Sequence, residues 1–398
     1  MQKKRRVGLW LVGAFGGVGT TITLGLAALA RKQIPETGLV SALPWFEKLP
    51  LPGADEFVVG GHEIRRGSFG ESAEEFRKNS GVFDSALIAA CGDDIAAASA
   101  RVRPGVTLGA GATIDRMGDW TVAARTPAHA IDHIAADLAA FTEQSKIDHL
   151  IVMNVSSTEP PFRLGTPHER WEALNAALPS AGAELLPASA LYAIAALRAG
   201  HTYINFTPSL GCSFPAAYQL AESTGALHAG KDGKTGETLL KTVLAPMFAA
   251  RNLKVMSWVG HNIFGNRDGL ILDDPVNKAS KVGSKDQVVH SILGYKPSTL
   301  VTIEYIPDMG DWKTAWDHVH FEGFLGTKMT LQFTWQGCDS LLAAPLAIDL
   351  ARLADAEKQR GGRGLMTYLA SFFKSPEGVA NNDFFDQLNL LRAHLARN

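Results

Sequence analysis

The sequence predicts an α/β protein: a doubly wound, Rossmann-like parallel sheet with an inserted α+β catalytic and oligomerisation domain carrying an open antiparallel sheet. Three observations predict it. Strand-like and helix-like runs alternate through the N-terminal half. A glycine cluster follows the first strand and opens a helix. Met329, Leu331, Phe333 and Trp335 alternate with polar neighbours, the period of a sheet covered on one face.

The elements follow in order. Residues 7–13 read as a buried strand and 18–31 as the helix after it. A second strand is expected at 57–60, and a helix at 128–143 just after Pro127. The run 149–155 (HLIVMNV) reads as a strand buried on both faces, 185–199 as a helix and 202–206 as another strand. That alternation implies parallel strands with helices on both faces. The texture changes near residue 230, where a Gly- and Lys-containing segment, 230–237, leads into a helix at 238–251. The link 323–327 joins the alternating run to 317–322 as a hairpin. Helices are expected again at 340–358, 363–373 and 382–396. The expected domains are therefore 1–230 for the nucleotide, 231–334 as the insert, and 335–398 returning to the first.

Composition narrows the partners. The 398 residues are 46% hydrophobic and 20% charged, the balance of a folded globule too long for a single core. Thirty-eight Lys and Arg against 40 Asp and Glu leave a formal charge of −2, which argues against nucleic acid or an anionic membrane as the main partner. Three scattered cysteines without a CxxC argue against a disulfide framework or a cysteine zinc site and suit a reducing cytoplasm. Basic residues 3–6 followed by an uncharged 7–30 imitate a signal peptide or a span. Six glycines interrupt that stretch, so a cytoplasmic protein is expected.

The sharpest motif is Gly13-Ala14-Phe15-Gly16-Gly17-Val18-Gly19-Thr20-Thr21. Glycines at a strand–helix junction let backbone approach a pyrophosphate, and the helix start offers free N–H groups. The spacing is G-x-x-G-G-x-G, and no Gly-Lys-Ser/Thr follows, which disfavours an ATP-type loop. A glycine turn that merely allows close packing is the plainer account; the position after strand one favours a dinucleotide. For the acidic residue that holds a ribose, Glu63 is preferred over Glu36. Lysines cluster further on: Lys231 and Lys234, then Lys278, Lys281 and Lys285, then Lys313 and Lys374. Each alone reads as surface charge. Together, beside the helix start Thr235-Gly236-Glu237-Thr238, they suit a phosphorylated, oxygen-rich substrate.

These segments resemble the inositol-phosphate synthase family. Ser157-Thr158-Glu159 is similar to its Asn-Thr-Glu, and 205–209 to its Asn-Gly-Ser-Pro. Residues 232–238 are similar to Asp-x-Lys-Ser-Gly-Gln-Thr, and 265–269 to Gly-Asn-Asn-Asp-Gly. The pairs Ser280-Lys281 and Ser284-Lys285 keep the family's spacing, 310–313 resembles Gly-Asp-Ser-Lys, and 338–345 Glu-Asp-Ser-Leu-Leu-Ala-Thr-Pro.

The resemblance implies an NAD-dependent, redox-neutral isomerase of inositol and phospholipid biosynthesis, converting glucose 6-phosphate to an inositol monophosphate. C5 is oxidised, C6 enolised and joined to C1 by an aldol step, and C5 is reduced again. It implies that Lys281 and Lys374 act at the C5 oxygen, and that Lys285 and Lys313 hold phosphate and assist at the aldol oxygen. Thr235, Gly236, Thr238 and Asn266 would complete the phosphate cradle. Gly13, Gly16, Gly17, Val18, Gly19, Glu63, Ser156, Asp232, Asn262, Asp268 and Asp339 would form the NAD side. Homotetramers are implied, with sheets pairing between subunits. A divalent cation or ammonium serves some members of the family; nothing in these residues shows one.

Departures fall beside the pocket. Val18 stands where an Asn is common, Glu63 replaces Asp, and Lys231 replaces an acidic residue. Glu237 replaces Gln, Leu239 replaces Lys, and Arg267 replaces Asn. They bear on which sugar phosphate is taken. His62, His261, His318 and His320 lack a placed third ligand, so no metal centre is expected. Cys338 reads as a small buried residue, and Trp10, Trp312 and Trp335 as core. The rival functions are an ordinary NAD-dependent sugar-phosphate dehydrogenase and a non-catalytic NAD or sugar-phosphate binder.

Overall fold

Apolar six-residue runs without a polar face fold where both faces are covered. Val7–Val12 (β1) and His149–Asn154 (β4) are buried at every position and pair in parallel at the middle of a seven-stranded sheet. The computed structural model describes residues 5–272 and 289–396. The other strands of this sheet are Phe57–Glu63 (β2), Val102–Pro104 (β3), Thr202–Asn205 (β5), Leu227–Gly230 (β6) and Gly364–Leu365 (β11). Their order is β11-β6-β5-β4-β1-β2-β3, and every pair is parallel. The direction of winding reverses between β1 and β4, where open α/β sheets bind ligands beyond the carboxyl ends of their strands.

Alternation along the strands feeds two cores. Leu9, Leu11, Ile151 and Met153 face the helices Gly17–Ala30 and Asp339–Gln359. Trp10, Val12, Leu150 and Val152 face Pro127–Ser145 and Ala188–Arg198. Thr126 caps the third of these helices by accepting from the His129 N–H, and Pro127 takes its first turn. Among the described residues, no helix is long and apolar enough to cross a membrane.

The second sheet comprises Lys254–Phe264 (β7), Ser298–Tyr305 (β8), Trp312–Glu322 (β9) and Lys328–Cys338 (β10), in the order β10-β9-β7-β8. The expected hairpin is present, with Lys328 opposite Glu322 and Cys338 opposite Trp312. The sheet is mixed rather than purely antiparallel, because β8 joins β7 in parallel. β8 follows β7 after a long connection that includes the helix Arg267–Leu272, the kind of link a parallel pair requires. The helix Gly236–Ala250 packs Ala245 and Phe248 against Val255, Trp258 and Val319 of this sheet. In the same layer Lys241 is buried with Glu237 at 2.6 Å and Asp317 at 3.8 Å, so the departure at Glu237 has a cation beside it.

One predicted helix is corrected. Residues 363–373 form the short edge strand β11 and a 3-10 turn, Thr367–Phe372. Gly361 and Gly364 take φ of 80° and 74°, which interrupts a right-handed helix and turns the chain onto β6.

Candidate active site

Where β1 ends, Gly13 turns at φ 87°, and a Cβ there would lie 2.8 Å from the Ser156 backbone. A Cβ on Gly17 would meet Ser340 Oγ at 2.3 Å, and one on Gly19 the Ala14 carbonyl at 2.3 Å. The loop therefore sits against β4 and the helix Asp339–Gln359 only because these side chains are absent. Its helix, Gly17–Ala30, starts at Gly16 with no side-chain cap and no acid in its first turn. The first N–H groups stay open at the positive end of the dipole.

This loop forms one wall of a cavity of ≈ 300 Å³ between the two sheets. Gly13, Gly16, Gly17, Val18, Glu63 and Ser156 line it from the parallel sheet. Asn266, Asp268 and Asp339 line it from the side of the second sheet, and Asp232, Thr235 and Lys374 from the segments between. Lys374 Nζ lies 2.9 Å from Asp232 Oδ1, and both are largely buried. Asp232 Oδ2 is buried with no hydrogen-bond partner among the described residues. Asp268 accepts from the Thr158 hydroxyl at 3.3 Å.

Glu63 has a second, structural part beside its place in the cavity lining. Its oxygens accept from the backbone N–H of Phe15 at 2.8 Å and of Ile64 at 3.0 Å. It braces the glycine loop as well as lining the cavity. Glu36 lies elsewhere, 3.9 Å from Arg352.

Five other expected residues do not line the cavity. Gly19 is inside its helix, Asn262 is buried on β7, and Gly236 and Thr238 start the helix Gly236–Ala250. Lys313 lies on β9 with its ammonium 5.1 Å from the Phe264 ring centre. Lys281 and Lys285, with Lys278, lie outside the described residues.

Three wall or near-wall residues were given no role of their own by the sequence. Glu159 lines the cavity and is fully buried, with Ser189 N–H at 2.7 Å and Ser189 Oγ at 2.5 Å. Burial raises its pKa to about 7. Asp311 accepts from Asn266 Nδ2 at 2.9 Å, Cys338 Sγ at 3.0 Å, and the Ser340 N–H at 2.7 Å and hydroxyl at 3.0 Å. Burial, then the neighbouring Asp339 charge, pushes its pKa up. Lys234 is buried against Gln387 and the Phe384 ring, and burial lowers its pKa to about 7. All three stand inside segments quoted for the resemblance, which was the available signal.

The cavity is strapped shut on one side by the helix Phe69–Ser80. Asp311 N–H donates to Ser80 Oγ at 3.0 Å, and Trp312 Nε1 to the Ser80 carbonyl at 2.7 Å. Arg267, one of the departures, reaches both oxygens of Glu75 at 2.8 Å. Of the weighed histidines, His62 is core, 3.0 Å from Asp137 and accepting from Trp10. His261 bonds Thr302, and His318 and His320 stay on β9. Trp312 is exposed, and Trp335 is only half-buried, on the covered face of β10 beside Gly236, so neither is core as Trp10 is.

The family model for myo-inositol-1-phosphate synthase matches residues 7–396. The chain is 30% identical to inositol-3-phosphate synthase 1 of Bacteroides thetaiotaomicron over 98% of its own length and 95% of the relative's. The solved inositol-3-phosphate synthase of Caenorhabditis elegans shares the fold, with a TM-score of 0.88 at 22% identity over 99% of this chain and 86% of that one. A myo-inositol-1-phosphate synthase-related protein from Thermotoga maritima superposes with a TM-score of 0.77 at 25% identity, over 98% of this chain and 99% of its own. With its loop, its cavity and these matches in agreement from end to end, the chain belongs to the myo-inositol-1-phosphate synthase family.

Proposed function

We propose that this chain converts glucose 6-phosphate to an inositol monophosphate with NAD and without net redox change. The observation that carries this is one cavity in which the dinucleotide loop faces the Lys374–Asp232 pair and the Asn266, Asp268 and Thr235 positions. The site fits a dinucleotide: the loop's helix start is uncapped, Cβ atoms are excluded where the loop turns, and Asp232 keeps a buried oxygen without a partner among the described residues. NAD, when bound, takes up a hydride from the sugar and gives it back.

The protein's own groups do the rest. Lys374, held by Asp232, keeps an ammonium in a largely desolvated wall, where it stabilises oxyanion character at the sugar's C5 and exchanges a proton there. Thr235 and Asn266 supply donors for phosphate. Asp311 fixes Asn266 and the start of the helix that carries Asp339. Lys281 and Lys285 belong to the same proposal through the resemblance alone. Lys313 sits beside the cavity rather than in its wall. The proposal includes a reducing cytoplasm, with Cys91, Cys212 and Cys338 all free. It also includes a homo-oligomer joined through the second sheet, whose β9–β10 turn exposes Phe324 and Leu325 at 88% each.

Incubation of the purified protein with glucose 6-phosphate and NAD tests it. Inositol phosphate with no accumulating NADH is expected. Accumulating NADH would show a simple dehydrogenase, and binding without turnover a sensor.

A further inference from the structure

Behind the wall that carries Lys374, three segments distant in sequence bring a thiol, an imidazole and a carboxylate to one point. Cys212 follows β5, His228 lies on β6, and Glu377 comes three residues after Lys374. Cys212 Sγ is 3.5 Å from His228 Nδ1, His228 Nδ1 is 3.4 Å from Glu377 Oε2, and Sγ is 3.9 Å from each Glu377 oxygen. All three side chains are buried.

These separations are longer than charge-assisted hydrogen bonds of about 2.7–2.9 Å. They approach the edges of a zinc tetrahedron, roughly 3.3–3.6 Å for bonds of ~2.3 Å to sulfur and ~2.0–2.2 Å to nitrogen and oxygen. We propose that Cys212, His228 and Glu377 bind a thiophilic divalent cation of the zinc type, with water in the fourth position.

The charge balance favours it. On binding, the cysteine S–H bond breaks, its proton leaves to solvent and its electron pair goes to the metal. Thiolate and carboxylate then cancel the two positive charges, leaving a neutral buried centre. The surroundings orient the ligands: Ser213 Oγ donates to Glu377 Oε1 at 2.6 Å, and the Tyr218 ring stacks on His228 with centres 5.2 Å apart. The Glu377 N–H also donates to the Gly230 carbonyl at 2.8 Å. Such an ion would tie the segment bearing Lys374 to the ends of β5 and β6.

Zinc per chain, measured by mass spectrometry after incubation with zinc(II) and gel filtration, should be about one equivalent. Cobalt(II) added to chelator-stripped protein should give a thiolate charge-transfer band in the near ultraviolet. Cys212→Ser should abolish that band, and Cys338→Ser and Cys91→Ser should keep it. If Cys212→Ser does not fold, Glu377→Gln, which retains thiol and imidazole, should weaken cobalt affinity tenfold or more, by about 1.4 kcal/mol or more. A folded wild type with neither stoichiometric zinc nor the band would show only a hydrogen-bonded trio and overturn the proposal. Metal content and band unchanged in Cys212→Ser would place the ion elsewhere and overturn it equally.

Discussion

Glu159 and Lys374 illustrate what burial does to single charges at this cavity. Glu159 has a pKa of about 7 against an ordinary 4.5, because no cation among its bonded partners offsets its desolvation. Its folded pKa is raised, so its stabilising contribution is complete below the unfolded value and is lost as pH climbs through about 7. The change is worth about 3 kcal/mol as an order of magnitude. Glu159→Gln should therefore gain melting temperature relative to wild type at about pH 8 and little at about pH 5. Parallel melting curves across that range would contradict the assignment. Lys374, by contrast, has a carboxylate beside it, with Asp232 Oδ1 at 2.9 Å. Lys374→Ala should lower inositol phosphate formation by about 10²–10⁴-fold while NAD affinity changes little, read by product assay and calorimetric titration. Turnover at the wild-type rate would remove Lys374 from the chemistry.

The elements that carry these residues were legible to different depths. β1, β4 and the loop between β1 and its helix could be read from apolar runs and glycines, because buried parallel strands have few other compositions. β2 runs three residues past the expected end to Glu63, where Gly60 and Gly61 hid the strand pattern. The edge strand β11 and the parallel placement of β8 were not legible, since both depend on partners distant in sequence rather than on local preference. The site divides in the same way. Asp232, Thr235, Asn266, Asp268, Asp339 and Lys374 all line one cavity, whereas the buried networks of Glu159 and Asp311 arise from contacts that no spacing reveals. The loop itself offers a test at this scale. Gly17→Ala sets a methyl 2.3 Å from Ser340 Oγ and 2.4 Å from the Phe76 ring, so those side chains or the helix start must shift. NAD affinity should fall about tenfold or more, measured by fluorescence titration, with the fold retained. Unchanged affinity would separate this loop from the cofactor.

At the scale of the molecule, two sheets with separate cores share the walls of one cavity, and the second presents an open face along β10. Phe324 and Leu325, 88% exposed at its turn, are apolar area that water alone would not favour. Phe324→Asp with Leu325→Asp should lower the solution mass measured by light scattering if that face joins subunits; an unchanged mass would move the interface elsewhere. The helix Phe69–Ser80 spans the other side of the cavity, and its Ser80 holds Asp311 and Trp312 through paired bonds. A catalyst that ends each cycle with its oxidant restored gains nothing by letting that oxidant go. On the proposed reaction, freshly isolated protein should already carry its dinucleotide, and Ser80→Ala, which removes the Asp311 bond, should shed it measurably faster on dilution.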